Sequence, residues 1–273
     1  MIEQFHQPTT VCQALALKKR FQGRAVFLAG GTHLNSNECD LRPEHYISLA
    51  GLGLDRIESR PGLVSIGALC TLQRLADDRR VPAALKLAAV QLVNRNVRNM
   101  ATIGGHVAAN LRHSNLIPML VALDAKLGLL RVGATKMMSV ADYVAAPPAG
   151  LITKVVVPRL KPGRVAACRS LRASANARSI VTTAVSMTLV KNEVRNPIVA
   201  LGGVTRHVVR LTAVEDALDG APLPGTDELQ ALVSRSARPT PALAGSAAFL
   251  KYEAGVVVAL ALQDARRQKG GRP

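Results

Sequence analysis

Short apolar runs broken by turn residues fill the first half of the chain, and longer alternating or continuous apolar runs fill the second. No fixed period repeats, so the pattern reads as successive α and β elements. "QFHQP" predicts a short strand. Thr10 then predicts a helix N-cap, with Gln13 at the reciprocal capping-box position and Val11, Ala14, Leu15 and Phe21 on one apolar side. "RAVFLAGG" predicts a buried strand stopped by glycines, and "HYISL" another after the loop, giving a β-α-β-β unit over 1–50. "LDRIESRPGLVSIGAL" alternates on both sides of Pro61-Gly62 and predicts a hairpin that opens a second unit.

Thr71 predicts the cap of a short helix, and "VPAALKLAAVQLV" a longer one with Pro82 in its first turn. "SNLIPMLVALDA" predicts a helix from near Ser114, with Pro118 one turn in, and "AKLGLLRV" and "LITKVVVP" predict strands. Pro147-Pro148 and "PRLKPGR" punctuate this region, and the second predicts a domain boundary. Beyond it, "RVAACRSLRA", "SIVTTAVSMTLV" and "PIVALGGVTRHVV" predict three long strands. "GTDELQALVSRSA" and "GSAAFLKYEAGVVVALALQDARR" predict the helices that cover them, which makes this part α+β.

The 273 residues give room for about two domains. Disorder is expected only at the tail, "RRQKGGRP". The N-terminus lacks a basic, then apolar, signal pattern, and the longest apolar run, 254–262, is half of a membrane span. A cytoplasmic protein with no membrane partner is expected. Cys12, Cys39, Cys70 and Cys168 lack C-x-x-C spacing, and the histidines lack paired ligand spacing, so no metal or iron–sulfur site is expected in this chain.

Charge changes the picture. The chain carries +17, and between Arg79 and Lys191 seventeen Lys and Arg residues face only Asp124 and Asp142. That field suits an anionic ligand or an acidic partner. With aromatics at 3 % and no Trp, the stacking surface that single-stranded nucleic acid uses is absent, and a nucleic-acid partner is not expected.

Two glycine pairs carry the candidate chemistry, "LAGGTHLN" at 28–35 and "ATIGGHVAAN" at 101–110. A Gly-Gly lets the backbone turn tightly, so that successive amides can close on an anion, and a threonine hydroxyl lies beside each pair. Two such loops near positive charge predict the two sides of one pyrophosphate site. The G-x-G-x-x-G and G-x-x-x-x-G-K-[ST] fingerprints are missing, which argues against Rossmann and P-loop folds.

"LAGGTHL", then "RNMATIGGHVAAN", then "LIPMLVALDAKL", with "LITKVVVP" and "GSAAFLKYEAGVVVA" further on, resembles the FAD-binding medium subunit of the xanthine dehydrogenase and carbon monoxide dehydrogenase group of molybdenum hydroxylases. The resemblance implies an α+β chain. Its residues 1–160 would form a two-part FAD-binding fold of the p-cresol methylhydroxylase type, divided into about 1–53 and 54–160. Residues 161–268 would form the family's C-terminal domain, a three-stranded antiparallel sheet covered by helices, with a basic tail at 269–273. FAD would lie between the two N-terminal units. Ala29, Gly30, Gly31, Thr32, His33, Leu34 and Asn35 match the first cofactor loop, and Thr102, Ile103, Gly104, Gly105 and His106 match the second. Ile152 falls where the family packs an apolar side chain on the cofactor, Asn115 where an aspartate usually contacts it, and Arg169 where related chains often carry a basic residue near the flavin.

The resemblance also implies a molybdenum cofactor in a large partner subunit and [2Fe–2S] clusters in a small one, with electrons passing through FAD to NAD+ or another acceptor. No residue of this chain is expected to be catalytic. His33, Arg112, His113 and Asn115 depart from the family's usual residues. They leave a second reading, a structural subunit of the same complex that holds no flavin.

Overall fold

The computed structural model describes residues 3–91, 94–131, 134–174, 177–240 and 245–270. The first unit contains β1 (Gln4–His6), α1 (Val11–Phe21), β2 (Ala25–Leu28) and β3 (His45–Ser48), whose strands form a parallel sheet in the order β1-β3-β2. The capping box forms as the sequence predicts. The amide of Gln13 donates to the Thr10 hydroxyl at 3.2 Å, and that of Thr10 to Gln13 Oε1 at 3.2 Å. Ala14 is buried beneath the helix, and Lys18, Lys19 and Arg20 complement its C-terminal dipole.

The second unit runs through β4 (Ile57–Arg60), β5 (Leu63–Gly67), α2 (Leu72–Asp77), α3 (Ala83–Val90), α4 (Arg95–Met100), α5 (Ile103–Ala109), α6 (Leu116–Ala122), β6 (Lys126–Arg131), β7 (Ala134–Ser139), α7 (Val140–Ala145) and β8 (Leu151–Pro158). Its sheet has the order β4-β5-β8-β6-β7 with every pair antiparallel. Pro61-Gly62 makes the predicted hairpin, with Gly62 at φ 75°, a left-handed value that costs glycine nothing. Strand β7 was not legible in the sequence. It is a sheet edge whose first four residues are exposed, so it carries no apolar alternation.

The C-terminal part contains β9 (Arg164–Arg172), β10 (Ser179–Val190), β11 (Glu193–Gly202), β12 (Val209–Arg210), α8 (Thr212–Leu218), α9 (Thr226–Ser236) and α10 (Ala247–Gly270). Its antiparallel sheet has four strands, β12-β11-β10-β9, where the sequence predicts three. The extra strand is two residues long, too short for any periodic signal, and Glu215 on α8 holds it by accepting from Arg210 Nε at 3.1 Å and from the Val199 amide at 2.8 Å. Helix α10 continues through the first part of the tail expected to be disordered, and residues 271–273 of that tail lie outside the described residues.

Successive residues of β10 enter two different cores. Ala184 packs with the second unit, and Val185 packs with α9 and α10 on the other face. A strand covered on both sides needs small or apolar residues throughout, as "SIVTTAVSMTLV" supplies. Helix α6 is buried along its whole length between α3 and this sheet. Its carbonyl at Ala122 accepts from the Ser186 hydroxyl at 2.5 Å, which fixes the C-terminal sheet against the second unit.

Candidate functional site

Strand β2 ends at Leu28, and the chain turns through Ala29–Ser36 before reaching β3. Gly31 has φ 69°, and the turn is closed by Asn35 N donating to Gly31 O at 3.0 Å and Ser36 N to His33 O at 2.9 Å. Gly30 lies directly on the end of α4, where any Cβ would overlap the Met100 carbonyl. Among the described residues, the amides of Gly30, Gly31, Thr32, His33 and Leu34 have no acceptor. Consecutive free donors in a turned backbone are a feature that can close on an anion.

The second glycine pair is built differently. Gly104 and Gly105 are not in a loop but in the first turn of α5, and the Thr102 hydroxyl caps it by accepting from Gly105 N at 3.1 Å. The neighbouring donors are also satisfied inside the protein, Ile103 N by Cys70 O at 2.9 Å and Gly104 N by Ala68 O at 2.8 Å. The amides expected from the sequence to close on an anion are therefore already bonded here. Gly104 is glycine for packing. An added Cβ would stand 2.6 Å from Ala68 Cβ and 2.8 Å from its carbonyl oxygen. At Gly105 an added Cβ would stand 2.9 Å from the Thr102 hydroxyl and 3.7 Å from Ala29 Cβ, so this position keeps the two motifs close together.

Both motifs line one cavity of about 930 Å³ where the first unit, the second unit and the C-terminal sheet meet. Ala29 to Leu34, Thr102, Gly104, Gly105, His106, Asn115 and Ile152 all line it, so the structure brings most of the sequence-predicted residues together. Three do not reach it. Asn35 is exposed, with its side-chain amide 3.2 Å from where a Gly31 Cβ would stand. Ile103 is fully buried in the core of the second unit, with its amide donating to Cys70 O at 2.9 Å. Arg169 does not line the cavity and pairs with Asp264 on α10 at 2.5 Å.

The basic residues at the cavity are Arg172 and Arg178 instead, at the end of β9 and just before β10. Arg172 donates to the Gln91 carbonyl, and Arg178 pairs with Glu38 from the first unit. Neither they nor Glu38 could be assigned from the sequence, because only the long-range pairing of sheets brings them to the first loop. Val26, Phe27, Leu49, Leu69, Tyr143 and Leu151 add an apolar and aromatic wall, with the Tyr143 hydroxyl pushed up by burial.

Asn115, where the sequence departs from its family pattern, is buried and fully employed. It donates to the Gln91 carbonyl at 3.2 Å and accepts from the Ser179 hydroxyl at 3.1 Å, holding the cavity wall to β10. Arg112 reaches away from the cavity to the Gly203 carbonyl at 2.5 Å. His106 Nε2 lies 2.6 Å from Ser114 Oγ, and that oxygen already accepts from Leu116 N and Ile117 N at 3.1 and 2.9 Å. The hydroxyl proton therefore goes to Nε2, and His106 is a neutral imidazole with its proton on Nδ1. Burial, then His113 and His33, push this group down to about 4. Burial also lowers His113, with Arg112 and His33 adding to it. His33 Nδ1 is buried and has no hydrogen-bond partner.

Residues 1–160 match the FAD binding domain in molybdopterin dehydrogenase, and 166–265 match the CO dehydrogenase flavoprotein C-terminal domain. The chain is 39 % identical to the YgfM protein of Escherichia coli K12 over 260 residues, 95 % of either chain. It is 28 % identical over 147 residues to the nicotinate dehydrogenase FAD-subunit of Eubacterium barkeri, covering 51 % of this chain and 50 % of that one. Its fold superposes on a chain of carbon monoxide dehydrogenase from Hydrogenophaga pseudoflava with a TM-score of 0.91, at 24 % identity and 98 % coverage of each chain. Two domain matches in order over almost the whole length settle the relationship: the chain belongs to the family of FAD-binding subunits of molybdenum hydroxylases.

Proposed function

We propose that this chain is the electron-transfer flavoprotein of a xanthine dehydrogenase-like molybdenum hydroxylase. It works in the cytoplasm beside a molybdenum-binding large subunit and a [2Fe–2S] small subunit, and passes electrons through FAD to NAD+ or another acceptor. The observation that carries this reading is the loop Gly30–Leu34, five adjacent amides without acceptors on the wall of a cavity large enough for a dinucleotide. The residues present fit FAD on three counts. The free amides and the orphaned His33 Nδ1 suit a diphosphate, Arg172 and Arg178 suit its charge, and the Val26-to-Ile152 wall suits an apolar ring system.

FAD, when bound, supplies the hydride and one-electron chemistry. The chain's own contribution is to hold and surround it. The loop amides and His33 would hold the diphosphate, Gly105 keeps Ala29 and Thr102 near one another beside it, and Leu69, Leu151 and Ile152 would exclude water. With Asn115 bonded on both its polar atoms and Arg112 turned away, two of the four departures do not obstruct the cavity. That favours the flavin reading over a structural subunit without cofactor.

Reconstitution of the purified chain with FAD tests it. A flavin absorption spectrum at one FAD per chain after gel filtration is expected. A chain that emerges colourless at every protein concentration belongs to the structural reading.

A further inference from the structure

We propose that this chain takes up a proton when it binds FAD, and that the imidazoles of His33 and His113 receive it at the diphosphate. The inference rests on the FAD reading above and adds to it a function for two side chains that depart from the family pattern. It begins from the orphaned Nδ1 of His33, on the same loop as the free amides. A buried polar atom without a partner costs about 1–3 kcal/mol, and an acceptor brought by a ligand removes that cost.

His33 is not alone. It interacts electrostatically with both His106 and His113, so three imidazoles share this part of the cavity. His106 is committed as a neutral ring by Ser114. His113 makes no hydrogen bond among the described residues, and its closest charged partner, Glu38, stands at 3.9 Å. His33 and His113 are therefore the two imidazoles of the cavity whose rings make no hydrogen bond among the described residues.

The charges that face them come from every neighbouring element. Arg112 adjoins His113, Arg178 and Arg172 come from the C-terminal sheet, and among the described residues lining the cavity Glu38 is the single carboxylate, already paired with Arg178. In this setting a proton on His113 is opposed by burial, then by Arg112 and His33. A diphosphate diester brings two negative charges that are fixed over the neutral range, and their arrival reverses the balance.

The sign follows. A group held low in the free chain and raised in the complex makes binding strongest on the acid side. The advantage is lost as pH rises through the raised value. For one proton, the Kd increases by up to about tenfold per pH unit between the two values.

The test is titration of the full chain with FAD by flavin fluorescence between pH 6 and 8.5. Calorimetry at pH 7 accompanies it, in two non-phosphate buffers of unlike ionisation enthalpy. Wild type should bind more weakly as pH rises, and the calorimetric difference should report about 0.5–1 proton taken up per FAD. His33→Asn and His113→Asn keep a hydrogen-bond donor and remove the titration. Each should reduce the slope, and together they should hold the Kd constant within about threefold across the range. A flat wild-type profile with no proton uptake overturns the inference and leaves the FAD reading standing, and so does a wild-type slope in the double variant. No binding at any pH overturns both.

Discussion

Gly104→Ala separates packing from ligand contact more sharply than any other substitution in the cavity wall. In an isolated helix the change is favourable by about 1 kcal/mol, since alanine is the best helix former and glycine among the worst. Gly104 sits in the first turn of α5 with an ordinary right-handed backbone, so that gain is available. Opposing it, the new methyl would lie 2.6 Å from Ala68 Cβ, 2.8 Å from Ala68 O and 3.0 Å from Ala68 Cα. Two of these atoms are backbone, and the third is fixed directly to it. Relief requires α5 to back away by about 1 Å, which stretches the bonds from Gly104 N to Ala68 O and from Ile103 N to Cys70 O. Overpacking of this kind costs about 1–3 kcal/mol, and two weakened buried hydrogen bonds add about 1 kcal/mol. The net expectation is a loss of about 1–3 kcal/mol, read as a fall in the urea midpoint of the flavin-free chain. Gly105→Ala is the companion. Its methyl would press on the Thr102 hydroxyl that caps α5 at 2.9 Å, a cost of about 1 kcal/mol offset by the similar helix-propensity gain, so stability should hold within about 1 kcal/mol while FAD binding weakens. A Gly104→Ala chain as stable as wild type, or more stable, would refute the packing argument.

Glu38→Gln removes a carboxylate at the basic side of the cavity and releases Arg178, so FAD should bind about 2–10-fold tighter at low salt, with the gain shrinking as salt is added. Arg169→Ala should leave the flavin reduction potential of the reconstituted chain unchanged, because the guanidinium is engaged by Asp264 outside the cavity; a shifted potential would return Arg169 to the cofactor. Thiol titration of the native chain at pH 8 should find one fast-reacting group, the exposed Cys12. Cys39 is buried, and burial pushes Cys70 and Cys168 up to about 11.

Where a local rule decided the structure, the sequence was enough. The Thr10–Gln13 box, the Pro61-Gly62 hairpin and the Thr71 cap depend on residues within a few positions of one another, and all three form. Helix α5 is illegible because two adjacent glycines argue against a helix on propensity, and what favours them is close approach, of Gly104 to Ala68 and of Gly105 to the Thr102 cap. The same holds at the cavity. The first loop could be read from its glycines, whereas Arg172, Arg178 and Glu38 meet only after the C-terminal sheet docks on α6. The family position of Arg169 carries no sign of its partner Asp264, which stands 95 residues later on the last helix.

The central claim is that the diphosphate of FAD is held by the free amides of the first loop and not by those of α5. Amide NMR of chain labelled with 15N-glycine, followed during addition of FAD, tests it directly. The Gly30 and Gly31 signals should move strongly downfield in proportion to bound FAD, while Gly104, already bonded to Ala68, stays nearly fixed. Movement of Gly104 with Gly30 and Gly31 unmoved would contradict it.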